Sequence, residues 1–425
     1  MIGLHMKNVI ELLQERGFID QMTSQELVDH VNSARNVYVG FDPTADSLHL
    51  GNLVGIMALE WFRRCGHTPY VILGGATGRI GDPKSFERPL LDEQTLQSNL
   101  QSIRRFFEKI FRGGGSKPVI LNNNDWFAKF SLIDFLRDVG KLFRVGQMLA
   151  KETVKQRLNS EEGLSFTEFS YQILQGYDFA YLNQHHTVTI QMGGSDQWGN
   201  ITSGTEYNRK IGGSTVYGIT FPLLTKSDGK KFGKSEEGAI WLSEEKLSAY
   251  QFYQYLVRVS DADVIKLLRM LTFLDMEEIR SIEQQMKKSD YAPNSAQKRL
   301  AEEVTRFVHG EEGLEKALKV TEGIAPGTEA QLSAASFKEF MQDMPHAEMN
   351  QNDVIGAKLV DLFVRANLVS SKSEAIRLIK NGGAYLNNVR IDDSTFVISA
   401  RDLIDKAYLL LSAGKKKRFL VHISK

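Results

Sequence analysis

Two short stretches carry side chains suited to gripping a polyphosphate. In Leu48-His49-Leu50-Gly51-Asn52 the His and Asn stand three apart, on one face of a helix expected to start near Ser47. Gly51 between them leaves room for a phosphate or a flat ring against the backbone. The amino end of a helix, with neutral donors on one face, favours such an anion. In LTKSDGKKFGKSEEG, Lys230, Lys231 and Lys234 surround Gly229 and Gly233. Lysines on a mobile loop can close on phosphates and neutralise charge that develops only during transfer. Either stretch alone reads equally well as a capped helix or a solvated turn.

A third set has a different character. FTEFSYQILQGYDFAYL places Tyr171, Gln175 and Asp178 at i, i+4 and i+7, a polar stripe on an otherwise apolar helix. Buried polar groups need partners, so the stripe requires either a ligand or an internal network. QMGGSDQWGN sets Asp196 and Gln197 just past a strand that ends in two glycines, and Asp82 in GGATGRIGDP follows a strand in the same manner.

The elements that must position these groups follow from the hydrophobic pattern. Short β-branched or aromatic runs at 37–41, 70–73, 118–121, 187–192 and 216–221 alternate with amphipathic helices such as Ile133 to Met148. This predicts an α/β, doubly wound parallel-sheet (Rossmann-like) domain over residues 1–225, with its ligand crevice at the strands' carboxyl ends. The lysine loop takes 226–244, an all-helical domain 245–323 and a polar linker with one short helix 324–352. A small α+β domain is expected over 353–425, and no internal repeat is visible.

Composition narrows the function classes. The chain has 425 residues, 42% of them hydrophobic and 24% charged, which excludes disordered and fibrous readings. One cysteine, Cys65, excludes a disulfide framework or a multi-thiolate zinc site, and a cytoplasmic address is expected. No apolar run is long enough for a membrane helix, and the opening MIGLHMKNVIELLQERGF reads as an amphipathic helix rather than an export signal. Net charge is zero, yet residues 353–425 hold thirteen Lys and Arg against seven Asp and Glu, net +6, so the first 352 carry −6. The tail is a basic module on an acidic body.

Taken in order, Tyr38-Val-Gly-Phe-Asp-Pro-Thr, His49-Leu-Gly-Asn, ATGRIGDP, FTEFSYQILQGYD, GGSDQWGN and KFGKS resemble the bacterial or organellar tyrosyl-tRNA synthetases of class I, whose signatures take the forms HIGH and KMSKS. The resemblance implies that Tyr38 and Asp178 hold a phenolic hydroxyl, and that Asp82, Tyr171 and Gln175 receive an α-ammonium. It places Gln197 near the amino acid's carboxylate. Gly40, Asp42, Gly51, Asn52, Gly194 and Asp196 would line the ATP site, and Thr44, His49, Lys231 and Lys234 would meet the phosphates, with Lys84 and Arg88 as a mobile pair. ATP would bring its own Mg2+, with no protein-held metal. Asn52 replaces the second His of HIGH, and Lys231-Phe-Gly-Lys-Ser235 replaces KMSKS.

The tail, through SKSEAIRLIKNGGAYLNNVRI, resembles a small RNA-binding domain shared with a ribosomal protein. Lys372, Arg377 and Lys380 with Lys415, Lys416, Lys417 and Arg418 would form its cationic face toward tRNA(Tyr). The family implies a homodimer, with FLRDVGKLF as its seam. Two other readings stay open: a tryptophan-specific relative, and an RNA-binding or splicing protein on the same scaffold.

Overall fold

The computed structural model describes residues 8–83, 91–230, 232–235, 238–327, 332–341, 344–414 and 417–424. It separates into two compact units, 1–246 with 259–300, and 247–258 with 301–425.

The first unit is built on a six-stranded sheet. Its strands are β1 (Gln21–Met22), β2 (Asn36–Phe41), β3 (Thr68–Leu73), β4 (Val119–Asn122), β5 (Val188–Gly194) and β6 (Tyr217–Phe221), ordered β1-β6-β5-β2-β3-β4. β2 to β6 run parallel, and β1 adds an antiparallel edge through Gln21 and Met22 that the sequence pattern did not reveal. β2, β3 and β6 read as near-continuous buried runs, as expected of strands covered on both faces. The chain leaves β2 for β3 on one side and later returns as β5 on the other. The crevice beyond β2 and β5 is therefore the topological switch point, where open α/β sheets take their ligands.

Helix Leu53–Arg64 is buried along almost its whole length, and helices Phe166–His186 and Trp198–Lys210 pack against each other and against β5. Ser165 starts the Phe166–His186 helix with a capping box, accepting from the Glu168 N–H. The amphipathic helix expected from Ile133 to Met148 breaks instead into Leu132–Asp134, a π turn at Phe135–Val139, a 3-10 turn at Gly140–Leu142, and Val145–Leu149. Its apolar side chains divide: Val139 and Met148 are buried, and Phe135, Leu142 and Phe143 pack on the cluster of Val139, Ala180 and Tyr207, while Leu132, Ile133, Leu136, Val145 and Leu149 are exposed.

The helical stretch expected as one domain over 245–323 is shared between the two units. Helix Asp261–Leu271 lies against helix Leu53–Arg64 in the first unit. There the Arg16 guanidinium donates to the carbonyls of Arg269, Thr272 and Leu274, and Trp61 meets Phe273 edge-on at 5.0 Å.

In the first unit β7 (Lys234–Ser235) and β8 (Gly238–Ala239) form a separate two-stranded antiparallel ribbon. In the second unit, β9 (His346–Asn350) pairs parallel with β13 (Lys417–Ser424) in a sheet ordered β11-β10-β12-β13-β9, where β10 is Ala384–Leu386, β11 Val389–Arg390 and β12 Tyr408–Ala413. The segment read as linker therefore contributes a helix, Ala334–Met341, and also a strand of this sheet. Asn387 and Asn388, both at positive φ, form the two-residue turn from β10 to β11. Helices Leu359–Arg365 and Lys372–Lys380 pack on this sheet around a core of Leu359, Phe363, Ile379 and Leu411.

Candidate active site

The two stretches expected to grip a polyphosphate meet. Leu50 N–H donates to the Ile240 carbonyl at 2.8 Å, Ile240 N–H to the Gly233 carbonyl at 2.9 Å, and Leu242 N–H to the Leu48 carbonyl at 2.9 Å. Gly233 sits at φ +83, where an added Cβ would lie 3.1 Å from Leu50 Cβ and 3.3 Å from Gly51 N. Only glycine combines that backbone with that approach. His49 caps a 3-10 turn, its Nδ1 accepting from Gly51 N–H while Asn52 Oδ1 accepts from His49 N–H. The regular helix begins at Leu53 rather than near Ser47, because this capped turn precedes it. Thr44 and His49 are exposed at the mouth. Lys84, Arg88 and Lys231 lie outside the described residues, as does the side chain of Lys234.

Deeper in, three carboxylates crowd together, Asp178 buried and Asp42 and Asp82 half-buried. Asp42 follows β2 and accepts from Thr77 Oγ1 at 2.7 Å and from the Tyr171 hydroxyl at 2.8 Å. Gly74 makes room for it, since a Cβ there would fall 2.0 Å from Asp42 Oδ1. Asp178 accepts from Trp126 Nε1 at 2.8 Å and Asn123 Nδ2 at 3.1 Å. Asn123 also donates to Thr77 Oγ1 at 3.0 Å, so one network runs from Asp42 to Asp178. Asp82 accepts from Gln197 at 2.8 Å and Asn200 at 3.1 Å.

The electrostatics of this pocket call for a cation and a hydroxyl. Burial, opposed by the Asn123 and Trp126 donors and aided by Asp42, pushes the Asp178 carboxyl up to about 8. Burial likewise raises Asp82 to about 6, with Asp42 and Asp196 adding to the rise. The buried Tyr38 hydroxyl has no hydrogen-bond partner among the described residues, and burial and Asp178 hold it protonated. An unpaired hydroxyl beside a carboxylate is a ready receptor for a second hydroxyl. Gln175 Oε1 is also buried without a partner among the described residues. Of the polar stripe, then, Tyr171 and Asp178 are satisfied internally while the Gln175 amide oxygen is not.

Gly40, near the end of β2, has open space where a Cβ would stand, and Gly194 and Asp196 lie at the end of the neighbouring β5. Four residues of the site went unread in the sequence: Thr77, Asn123, Trp126 and Asn200. Their side chains reach the pocket through tertiary packing that no local spacing reveals. Lys151 is a fifth, its ammonium buried without a partner among the described residues and lowered to about 7 by burial. Among the described residues no group of three or more His, Cys, Asp or Glu is arranged to hold a metal ion.

In the second unit the cationic face divides. Arg377 and Lys380 are exposed on helix Lys372–Lys380, and Lys372 is exposed but paired to Asp361 at 2.7 Å. Lys417 donates to the Leu368 carbonyl. Arg418 does not belong to that face: its guanidinium is turned inward to the carbonyls of Ile324 and Gly414, and burial lowers its pKa. Lys415 and Lys416 lie outside the described residues.

Residues 31–324 match the family model described as tRNA synthetases class I (W and Y), and residues 336–421 match the tyrosine–tRNA ligase SYY-like C-terminal domain. The chain is 60% identical over 422 residues to a tyrosine–tRNA ligase of Protochlamydia amoebophila (strain UWE25), covering 98% of this chain and 99% of that one. It is 51% identical to a chloroplastic/mitochondrial tyrosine–tRNA ligase of Arabidopsis thaliana, across 98% and 84% of the two chains. The crystal structure of a C-terminally truncated mitochondrial tyrosyl-tRNA synthetase from Aspergillus nidulans superposes with a TM-score of 0.65 at 32% identity, covering 73% of this chain and 92% of that one.

Proposed function

The chain belongs to the tyrosine–tRNA ligase family of class I tRNA synthetases, and from that premise we propose how its pocket activates tyrosine and passes it to tRNA. The overall reaction joins tyrosine to its tRNA at the expense of ATP. The single observation that carries the tyrosine assignment is the buried, unpaired Tyr38 hydroxyl near the buried Asp178 carboxyl. A phenol supplies both a donor for Asp178 and an acceptor for Tyr38. Phenylalanine would leave the Tyr38 hydroxyl buried and unmatched and offer Asp178 no further donor, which is how a site built around a hydroxyl rejects the analogue lacking it.

The substrate's ammonium fits the other end of the pocket, where Asp82, the Gln175 amide oxygen and the Tyr171–Asp42 pair present negative and acceptor groups. In the first step the tyrosine carboxylate attacks the α-phosphorus of ATP. A new carbon-side oxygen–phosphorus bond forms, the bond to the β-phosphate bridge breaks, and pyrophosphate leaves. No general base is required, because the carboxylic acid is ionised at neutral pH. Catalysis is then positioning plus stabilisation of charge on the departing phosphates. Thr44, His49, Lys231 and Lys234 take that role, with Lys84 and Arg88 assisting, while Gly40, Asp42, Gly51, Asn52, Gly194 and Asp196 receive the nucleoside. Magnesium enters with ATP as part of the substrate. In the second step the terminal ribose hydroxyl of the tRNA displaces AMP from the adenylate.

The exposed Arg377, Lys380 and Lys372 support contact of the second unit with tRNA phosphates. The uncovered apolar side chains between Leu132 and Leu149 support pairing of two copies of the chain. No helix among the described residues is long and apolar enough to cross a membrane.

The test is exchange of labelled pyrophosphate into ATP with tyrosine, phenylalanine or tryptophan offered separately and no RNA. Exchange with tyrosine alone is expected; exchange driven by tryptophan would overturn the pocket assignment.

A further inference from the structure

Asp178 owes its orientation to the short helix Asn124–Phe127 and the residue before it, since Asn123 and Trp126 fill one lone pair on each carboxylate oxygen. The amide of Asn123 is itself locked, its oxygen accepting from Ala76 N–H at 2.7 Å and its nitrogen shared with Thr77. The Trp126 indole has a single N–H donor, spent on Asp178, and no acceptor, so no other hydrogen bond can fix it. Its plane depends on what lies against its faces. One face carries Tyr181, nearly parallel at 19° with ring centroids 4.4 Å apart. Tyr181 in turn stacks on His185 at 4.1 Å and 18°, and His185 Nδ1 lies 3.0 Å from the Tyr181 carbonyl oxygen.

Asp178, Tyr181 and His185 are i, i+3 and i+7 on helix Phe166–His186, so one helical face bears both the carboxylate and the column that supports its partner. The column runs from the buried indole through a half-buried phenol to an exposed imidazole. Neither Tyr181 nor His185 stands among the pocket residues assigned above.

We propose that Tyr181 is a positioning residue for amino-acid recognition: stacked on Trp126, its ring holds the indole N–H on Asp178 and so sharpens the preference for tyrosine over phenylalanine. The inference rests on the assignment of Asp178 to the substrate's phenolic hydroxyl. If the indole tilts, Asp178 loses a donor aimed at Oδ1 and rotates away from the line a phenol must approach along. ATP, held at the far end of the crevice, is indifferent to this.

Pyrophosphate exchange by the full chain tests it, comparing wild type with Tyr181→Phe, Tyr181→Ala and Tyr181→Leu. The Leu variant keeps bulk without a π face and stands in should the Ala variant fail to fold. The ring-less variants are expected to raise KM for tyrosine by about two- to tenfold, the range that an aromatic pair contributes. They should narrow the tyrosine-over-phenylalanine ratio of kcat/KM and leave KM for ATP unchanged, while Tyr181→Phe tracks wild type. Unchanged tyrosine KM and selectivity in the ring-less variants would overturn the proposal. So would an equal loss in the tyrosine and ATP parameters that Phe does not rescue, since that marks a structural role only. Wild type that exchanges with phenylalanine as readily as with tyrosine would instead remove the Asp178 assignment, and this proposal with it.

Discussion

The buried carboxyl of Asp178 is raised to about 8 by burial, so the folded chain holds its proton more tightly than the unfolded chain does. Its contribution to stability is fully present below the ordinary carboxylate range and is lost as pH rises through about 8. Asp178→Asn should therefore show a melting temperature that varies less with pH than wild type between about pH 4 and 8, while tyrosine-dependent exchange falls by about a hundredfold or more. Thermal melts and exchange assays on the same preparations check both halves. His67 behaves in the opposite sense. It is buried, its Nδ1 accepts from Arg35 N–H at 3.1 Å, and burial lowers it to about 4, with Arg35 and His30 adding to the fall. Below the ordinary histidine pKa the unfolded chain takes up a proton that the folded chain refuses, so stability falls from about pH 6.5 toward 4. His67→Asn, which keeps an acceptor for Arg35, should flatten that acid limb in urea titrations at pH 7 and pH 5.

At the scale of elements, the turn leaving β3 is where a single methyl group would do most damage. Gly74→Ala would drive a Cβ into Asp42 Oδ1 and Thr77 Oγ1, breaking the network that joins the two ends of the pocket. Adenylate formation should drop by about tenfold or more with little change in the circular dichroism of the fold, because the clash is with side chains that can swing away. The strands and the crevice were legible from hydrophobic runs and from the Gly, Asp and Lys punctuation beyond them, because buried parallel strands write their pattern locally. Tyr171, Gln175 and Asp178 were legible as a stripe at helical spacing. Asn123 and Trp126 were not, since only the packing of a four-residue helix beside helix Phe166–His186 aims them at Asp178. Arg418 was misread for a related reason: a basic run looks alike whether a given side chain faces solvent or caps Ile324. The long amphipathic helix expected after Ile133 breaks at the π turn Phe135–Val139 and at Gly140, a poor helix former, and its apolar residues split between a buried set with Val139 and Met148 and an exposed set with Ile133 and Val145.

At the scale of the whole chain, the division into units redraws where a truncation should fall. Cutting at 353 would strand β9, which belongs to the C-terminal sheet, whereas ending the chain at Ile324 removes that sheet entire. The shortened protein should keep tyrosine-dependent pyrophosphate exchange within about threefold and lose most charging of tRNA, in line with phosphate contacts supplying much of RNA affinity. Exchange and aminoacylation assays side by side read out the two steps. Loss of both would place part of the activation machinery beyond Ile324.

The clasp of Arg16 on the carbonyls of Arg269, Thr272 and Leu274 also bears on how the chain is made. The sheet is complete once Phe221 has emerged from the ribosome, yet the helix that covers Leu53–Arg64 ends only at Leu271. At about 5–20 residues per second those roughly fifty residues take about 3–10 s, during which Trp61 and its neighbours wait uncovered on a nascent chain. That interval is when trigger-type chaperones would have most to hold.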